Sequence, residues 1–120
     1  MLPCILIRLS LRGTITSRFE AIIDTGSAIC IFDAQVAEAL GIVDIKSGEA
    51  ASVGSIAKGT DLQVYAHEVK LHVESQSAPI MGFFSKEIPI CILGRNGFLD
   101  TYSVSFGPFI EGSGFHCKKL

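Results

Sequence analysis

Two apolar alternations set back to back constrain this chain most. Residues 2–11 and 15–23 both carry the period of two that a half-buried strand requires, and Gly13-Thr14 between them supplies turn chemistry. The second run holds Thr, Phe and Ile, which favour strands. The pair reads as a hairpin, and its second strand ends in Ala21-Ile22-Ile23-Asp24-Thr25-Gly26. A carboxylate therefore sits on a Thr-Gly turn directly after an apolar strand, where burying an isolated charge is costly. Asp, Gly and Ser are ordinary turn residues, so this tripeptide alone says little.

Downstream, Asp33 is placed to cap a helix over residues 33–40, with Val36, Ala37 and Leu40 at helical spacing and Gly41 as its stop. Residues 47–60 are small and Gly-rich, which suits a mobile hairpin better than a packed one, and such segments often carry function. Leu62, Val64 and Ala66 alternate, then Val69, Leu71 and Val73, so two strand segments reach Val73 with a bend near His67. Residues 88–93 form a short, nearly continuous apolar run, the pattern of a strand buried on both faces. Gly94-Arg95-Asn96-Gly97 turns into a short helix over residues 98–102, and residues 103–106 make one more strand. The expected organisation is one domain over residues 1–106 and a loosely ordered tail over residues 107–120.

A chain of 120 residues allows one core of moderate size. Hydrophobic residues make up 48% and charged ones only 18%, so some apolar surface is expected to meet a partner. A net charge of -2 with scattered basic residues leaves no footprint for nucleic acid. The apolar run at residues 5–7 is cut by Arg8 and Arg12, too short for a membrane span or a secretory signal. The chain reads as cytoplasmic, with no membrane partner. Cys4, Cys30, Cys91 and Cys117 lie far apart and three of them sit in apolar runs, so reduced core thiols are expected rather than disulfides or a zinc site. His67 and His72 have opposite parity on one strand and cannot share a metal. No metal and no cofactor are expected. The sequence has neither a G-x-S-x-G elbow nor a Walker glycine loop, which removes serine-hydrolase and nucleotide-binding readings.

Asp24-Thr25-Gly26-Ser27 after an apolar strand, a Gly-rich hairpin, and Ile92-Leu93-Gly94-Arg95-Asn96 stand in that order. The arrangement resembles the retropepsin-like aspartic proteases, the retroviral protease family with its single-domain cellular and bacterial relatives. The resemblance runs from residue 5 to residue 106. It implies a mostly β fold, the acid-protease barrel, with one or two short helices and half an active site in each chain. Asp24, Thr25, Gly26 and Ser27 match the catalytic loop. Val53-Gly54-Ser55-Ile56-Ala57-Lys58-Gly59 matches the flap, with Ile56 at its tip, and Arg95 is the structural support beneath the loop. The implied walls of the substrate cleft are Ile29, Val53, Gly54, Ser55, Ile56 and Ile90. The implied function is that of an aspartic endopeptidase active as a homodimer on peptide or protein substrates. The alternative is a catalytically silent module of the same fold that binds peptide or dimerises.

The chemistry accounts for the residue types. Peptide hydrolysis without a metal or a covalent intermediate needs a base to activate water and an acid to protonate the leaving nitrogen. Two carboxylates sharing one proton supply both, because like charges a few ångströms apart cannot both ionise. The other Asp-Thr pair, Asp100-Thr101, is followed by Tyr102 and falls in the expected C-terminal helix, so the second carboxylate must come from Asp24 of a second chain. Ser27 is expected to donate its hydroxyl to Asp24, favouring the charged form and a more acidic activity optimum than that of Ser27→Ala. Retroviral members usually carry acidic residues just after the catalytic loop, where this chain has Ala28 and Ile29. Arg95 is left to bond backbone carbonyls or to pair with Asp33, Glu38 or Asp100. The helix over residues 33–40, absent from the smallest retroviral forms but familiar in bacterial relatives, points to a cellular protein.

Overall fold

The computed structural model describes residues 3–54, 61–109 and 112–119. β1 (Cys4–Leu11) and β2 (Thr14–Ile15) join across Arg12 (φ 49°) and Gly13 (φ 86°), a two-residue turn with both φ values positive, whose twist matches that of the strands it connects. β3 (Phe19–Ile23) continues along β1, but the register slips by one: Ser10 faces Ile15, whereas Ile7 faces Phe19. The extra residue is a bulge secured by buried Thr16, whose amide donates to the Leu9 carbonyl (2.9 Å) and whose hydroxyl accepts from the Leu9 amide (3.1 Å). The single strand expected over residues 15–23 is therefore two.

β4 (Cys30–Asp33) leads into α1 (Ala34–Ala39), capped by Asp33 Oδ1 accepting from the Gln35 amide and stopped at Gly41 (φ 81°). A 3-10 turn at Ile45–Ser47 precedes β5 (Glu49–Gly54), β6 (Asp61–Val73) and β7 (Gln76–Ser85). β8 (Ile92–Leu93), a wide helical turn at Arg95–Leu99, β9 (Tyr102–Phe109) and β10 (Gly112–Lys119) complete the chain. Eight strands form one sheet in the order β2-β1-β3-β8-β4-β7-β6-β5, and β6 also pairs with β1, so the sheet closes into a small barrel. The fold is mostly β, as the sequence implied.

Inward residues alternate along the barrel wall: Ile5, Ile7 and Leu9 on β1, Ala21 and Ile23 on β3, Ala78, Ile80 and Phe84 on β7. Phe32 meets Phe84 at 5.5 Å between ring centres and Phe19 edge-on at 6.4 Å. β6 keeps an unbroken register with β7 from Tyr65 to Val73, yet its buried positions change parity, from Val64 to Val69, Leu71 and Val73. The change falls where its other edge passes from β5, ending at Ala66, to β1, beginning at Lys70. The expected bend near His67 is thus the twist of one strand that leaves a hairpin and enters the barrel.

Several expectations give way. β7 went unread, because Pro79 and Gly82 interrupt its alternation of Ala78, Ile80 and Phe84. The strand expected over residues 88–93 shrinks to β8, with Pro89 and Ile90 exposed. The helical turn ends at Leu99, so Tyr102 opens a strand instead of closing a helix. Of residues 107–120, expected to be loosely ordered, the described ones, 107–109 and 112–119, belong to β9 and β10, which pair antiparallel as a separate ribbon from Tyr102↔Lys119 to Phe109↔Gly112. Cys4 is not a core thiol: alternation turns it and Leu6 outward while Ile5 and Ile7 point in. No helix among the described residues is long and apolar enough to cross a membrane.

Candidate active site

β8 lies between β3 and β4, parallel to the first and antiparallel to the second: Ile22 faces Ile92, Ile23 faces Leu93, and Ile92 faces Ile31. Residues 24–29, which join β3 to β4, must therefore pass around the end of β8. Backbone bonds hold both arms of that passage. The Asp24 amide donates to the Leu93 carbonyl (3.0 Å), the Arg95 amide to the Ser27 carbonyl (2.9 Å), and the Asn96 amide to the Ala28 carbonyl (2.9 Å). The approach requires glycine at 94, since a Cβ there would overlap the Ile29 carbonyl and lie 2.7 Å from that of Ser27.

The half-buried Asp24 carboxylate accepts from the Gly26 amide through Oδ1 at 2.9 Å, and the Ser27 amide closes the turn on the Asp24 carbonyl at 3.1 Å. A Cβ on Gly26 would stand 3.2 Å from that same Oδ1. Arg95 Nη1 donates to the Thr25 carbonyl at 3.0 Å, so the guanidinium holds the loop through its backbone. Two of the carboxylates expected to pair with Arg95 are used locally: Asp33 caps α1, and Asp100 Oδ1 accepts from the Gly97 amide (2.9 Å) and the Thr101 hydroxyl (3.1 Å). The Ser27 hydroxyl is a correction to the sequence reading. It donates to the Ile29 carbonyl at 2.8 Å, not to Asp24, because the loop's tight return brings that carbonyl within its reach.

Of the expected cleft walls, Ile29 is half-buried within this loop, and Val53 and Gly54 lie at the end of β5, where Gly54 faces Asp61. Ser55 and Ile56 fall outside the described residues. Ile90 is 44% exposed and lines a cavity of about 560 Å³ with Phe19, Glu20, Ile22 and Asp33. Ile22, two residues before Asp24, is a further wall of this cavity. Sequence reasoning missed Ile22 in this role, along with the Leu93 carbonyl that anchors Asp24. A carbonyl leaves no signature, since every residue has one; only Gly94, directly after an apolar run, was a readable sign of close approach.

Two thiols lie behind the loop. Cys30 is fully buried with its Sγ 3.5 Å from the Asn96 carbonyl, and burial pushes its pKa up to about 11. Burial likewise raises that of Cys91, whose carbonyl accepts from the Ile22 amide at 2.8 Å. Both are poor nucleophiles.

No protein-family model matches the chain, and no curated protein matches it. Among solved structures it is similar to the EIAV protease complexed with the inhibitor HBY-793, at 16% identity and a TM-score of 0.58, over 79% of this chain and 83% of that one. At this identity the likeness is one of fold, and the fold is the retropepsin-like barrel.

Proposed function

We propose that the chain is an aspartic endopeptidase of retropepsin type, active as a homodimer. The observation that carries this reading is the Asp24 carboxylate, set on a turn whose backbone is bonded on both sides to the segment after β8, in a barrel like that of the EIAV protease. One carboxylate cannot act as base and acid at once, so the reading requires the partner subunit's Asp24 across a two-fold axis. Exposed Leu6, Ile15, Met81 and Ile90 agree with a chain that buries further apolar surface on association.

Water held between the two carboxylates loses a proton to the ionised one as its oxygen attacks the peptide carbonyl. The protonated carboxyl gives its proton to the carbonyl oxygen, forming a neutral gem-diol. Collapse of that diol breaks the C–N bond while the first carboxylic acid protonates the leaving nitrogen, and the diol's proton returns to the second carboxylate. Thr25, Gly26 and Ser27 hold the turn, Arg95 supports it, and Ile29, Val53 and Ile90 form walls of the cleft. The β5–β6 hairpin acts as the flap, closing over an extended peptide to exclude water. The same reading makes the chain a cytoplasmic, cellular member of the group, on the strength of α1 and of the free thiols Cys30 and Cys91.

Peptide cleavage at acidic and neutral pH, with and without a pepstatin-type inhibitor, tests the reading in wild type and Asp24→Asn at matched dimer fraction. Loss of at least about a thousandfold in kcat is expected for the variant, since no general base remains. Cleavage by neither protein, with the dimer intact, would assign the chain to the silent peptide-binding or dimerisation module instead.

A further inference from the structure

The ladder between β6 and β7 pairs Tyr65 with Phe84, and β7 ends at Ser85. In the continuing register the Gln63 amide would next look for a carbonyl at residue 86. The chain has turned away there, and the Glu87 side chain takes that carbonyl's place: its Oε2 accepts from the Gln63 amide at 2.8 Å. Both ends of this substitution are themselves held. The Glu87 amide donates to the hydroxyl of Ser85, which is fully buried, at 3.0 Å, and Gln63 Nε2 donates across the hairpin to Ser52 Oγ on β5 at 2.9 Å. Ser52 and Gln63 face one another two residue pairs from Gly54↔Asp61, where the described part of the hairpin ends.

One chain of hydrogen bonds thus crosses from the end of β7, through Glu87, to both arms of the β5–β6 hairpin. Glu87 also begins the segment that carries Pro89 and Ile90, which line a cavity together with Ile22 of the strand that leads into Asp24. We infer that Glu87 is a positioning residue that tethers the hairpin to the Ile90 segment, so that the two sides of the cleft keep one spacing and the peptide is bound in register. The inference rests on the reading of the hairpin as a flap over Asp24. A carboxylate suits this role, since it accepts in the plane of the ladder, as a backbone carbonyl would, and its charge strengthens the bond. Being a side chain, it can also release the amide without unpairing any strand.

The test compares Glu87→Ala and Glu87→Gln with wild type in the full chain, by residue-resolved amide exchange and by steady-state peptide cleavage. In Glu87→Ala the Gln63 amide should exchange about tenfold faster while Leu71 and Ile80 in the barrel stay unchanged, as loss of one hydrogen bond predicts. Glu87→Gln keeps an acceptor oxygen and should remain within about threefold of wild type. KM should rise about fivefold in Glu87→Ala with kcat within about twofold, the split expected when binding geometry loosens and the chemistry does not. Unchanged exchange at Gln63, acceleration spread equally through β6 and β7, or a fall in kcat at constant KM would each overturn the tether. If wild type cleaves no peptide, the peptidase reading fails, and the Gln63 exchange still decides the tether for or against.

Discussion

Where residues 24–29 pass β8 and the segment after it, three bonds run backbone to backbone, Asp24 to Leu93, Arg95 to Ser27 and Asn96 to Ala28, and the Arg95 guanidinium adds one to the Thr25 carbonyl. β6 adds side-chain bonds to its ladders: Gln63 with Glu87 and Ser52, His67 Nε2 with the Ile45 carbonyl (2.7 Å), His72 Nε2 with Ser10 Oγ (2.7 Å). A backbone bond has no rotamers to lose beyond those the fold already fixed, whereas a side-chain bond must order several torsions. The loop of Asp24 is held to its neighbours chiefly by the first kind, and β6 adds the second kind to its ladders.

The comparison breaks most readily at Gly94. Adding a methyl group drives backbone against backbone at Ile29 and Ser27, with no flexible atom to give way, so Gly94→Ala should cost on the order of 3 kcal/mol and abolish cleavage. Urea unfolding measures this; a loss below about 1 kcal/mol would show that the loop is not gripped by close backbone approach. The Ser27 side-chain bond inside the loop should matter less. Ser27→Ala removes the donor to the Ile29 carbonyl and should destabilise by about 1 kcal/mol, leaving the acid limb of the pH profile where it was. A displaced acid limb would mean that the hydroxyl serves Asp24 after all.

The smallest effect lies on β6. Burial, aided by Lys70 and Arg8, holds the His72 pKa below the ordinary 6.5. The folded chain then binds fewer protons than the unfolded one, so this contribution to stability is fully present above the ordinary value and is lost as pH falls through the lower, folded one. Urea midpoints measured from about pH 7.5 down to about pH 5 should fall more steeply for wild type than for His72→Gln. Parallel curves would remove His72 from the account.

Local chemistry was legible. The Asp33 cap, the Gly41 stop and the strand before Gly13 each depend on residues within one element and are where the sequence put them, while the turn falls on Arg12-Gly13 and not on Gly13-Thr14. Misreadings arose where one composition serves two environments. Pro89-Ile90-Cys91 is as apolar as a buried strand but lines a cavity, because a cavity wall and a core take the same side chains. β7 hid behind Pro79, which the ladder tolerates: Lys70↔Pro79 leaves the proline exposed, between pairs that carry the bonding.

The sequence by itself determined a mostly β chain with a carboxylate on a glycine turn, because period, turn residues and caps act over a few neighbours and survive without context. The tertiary structure alone decided how that turn is held. The threading of β8 between β3 and β4, the choice of the Thr25 carbonyl by Arg95 at a separation of 70 residues, the turning of Ser27 toward Ile29 and the capture of the Gln63 amide by Glu87 are all contacts made after the barrel closes. A side chain with several possible partners takes the one that the closed sheet brings within reach, and no spacing along the chain records which one that is.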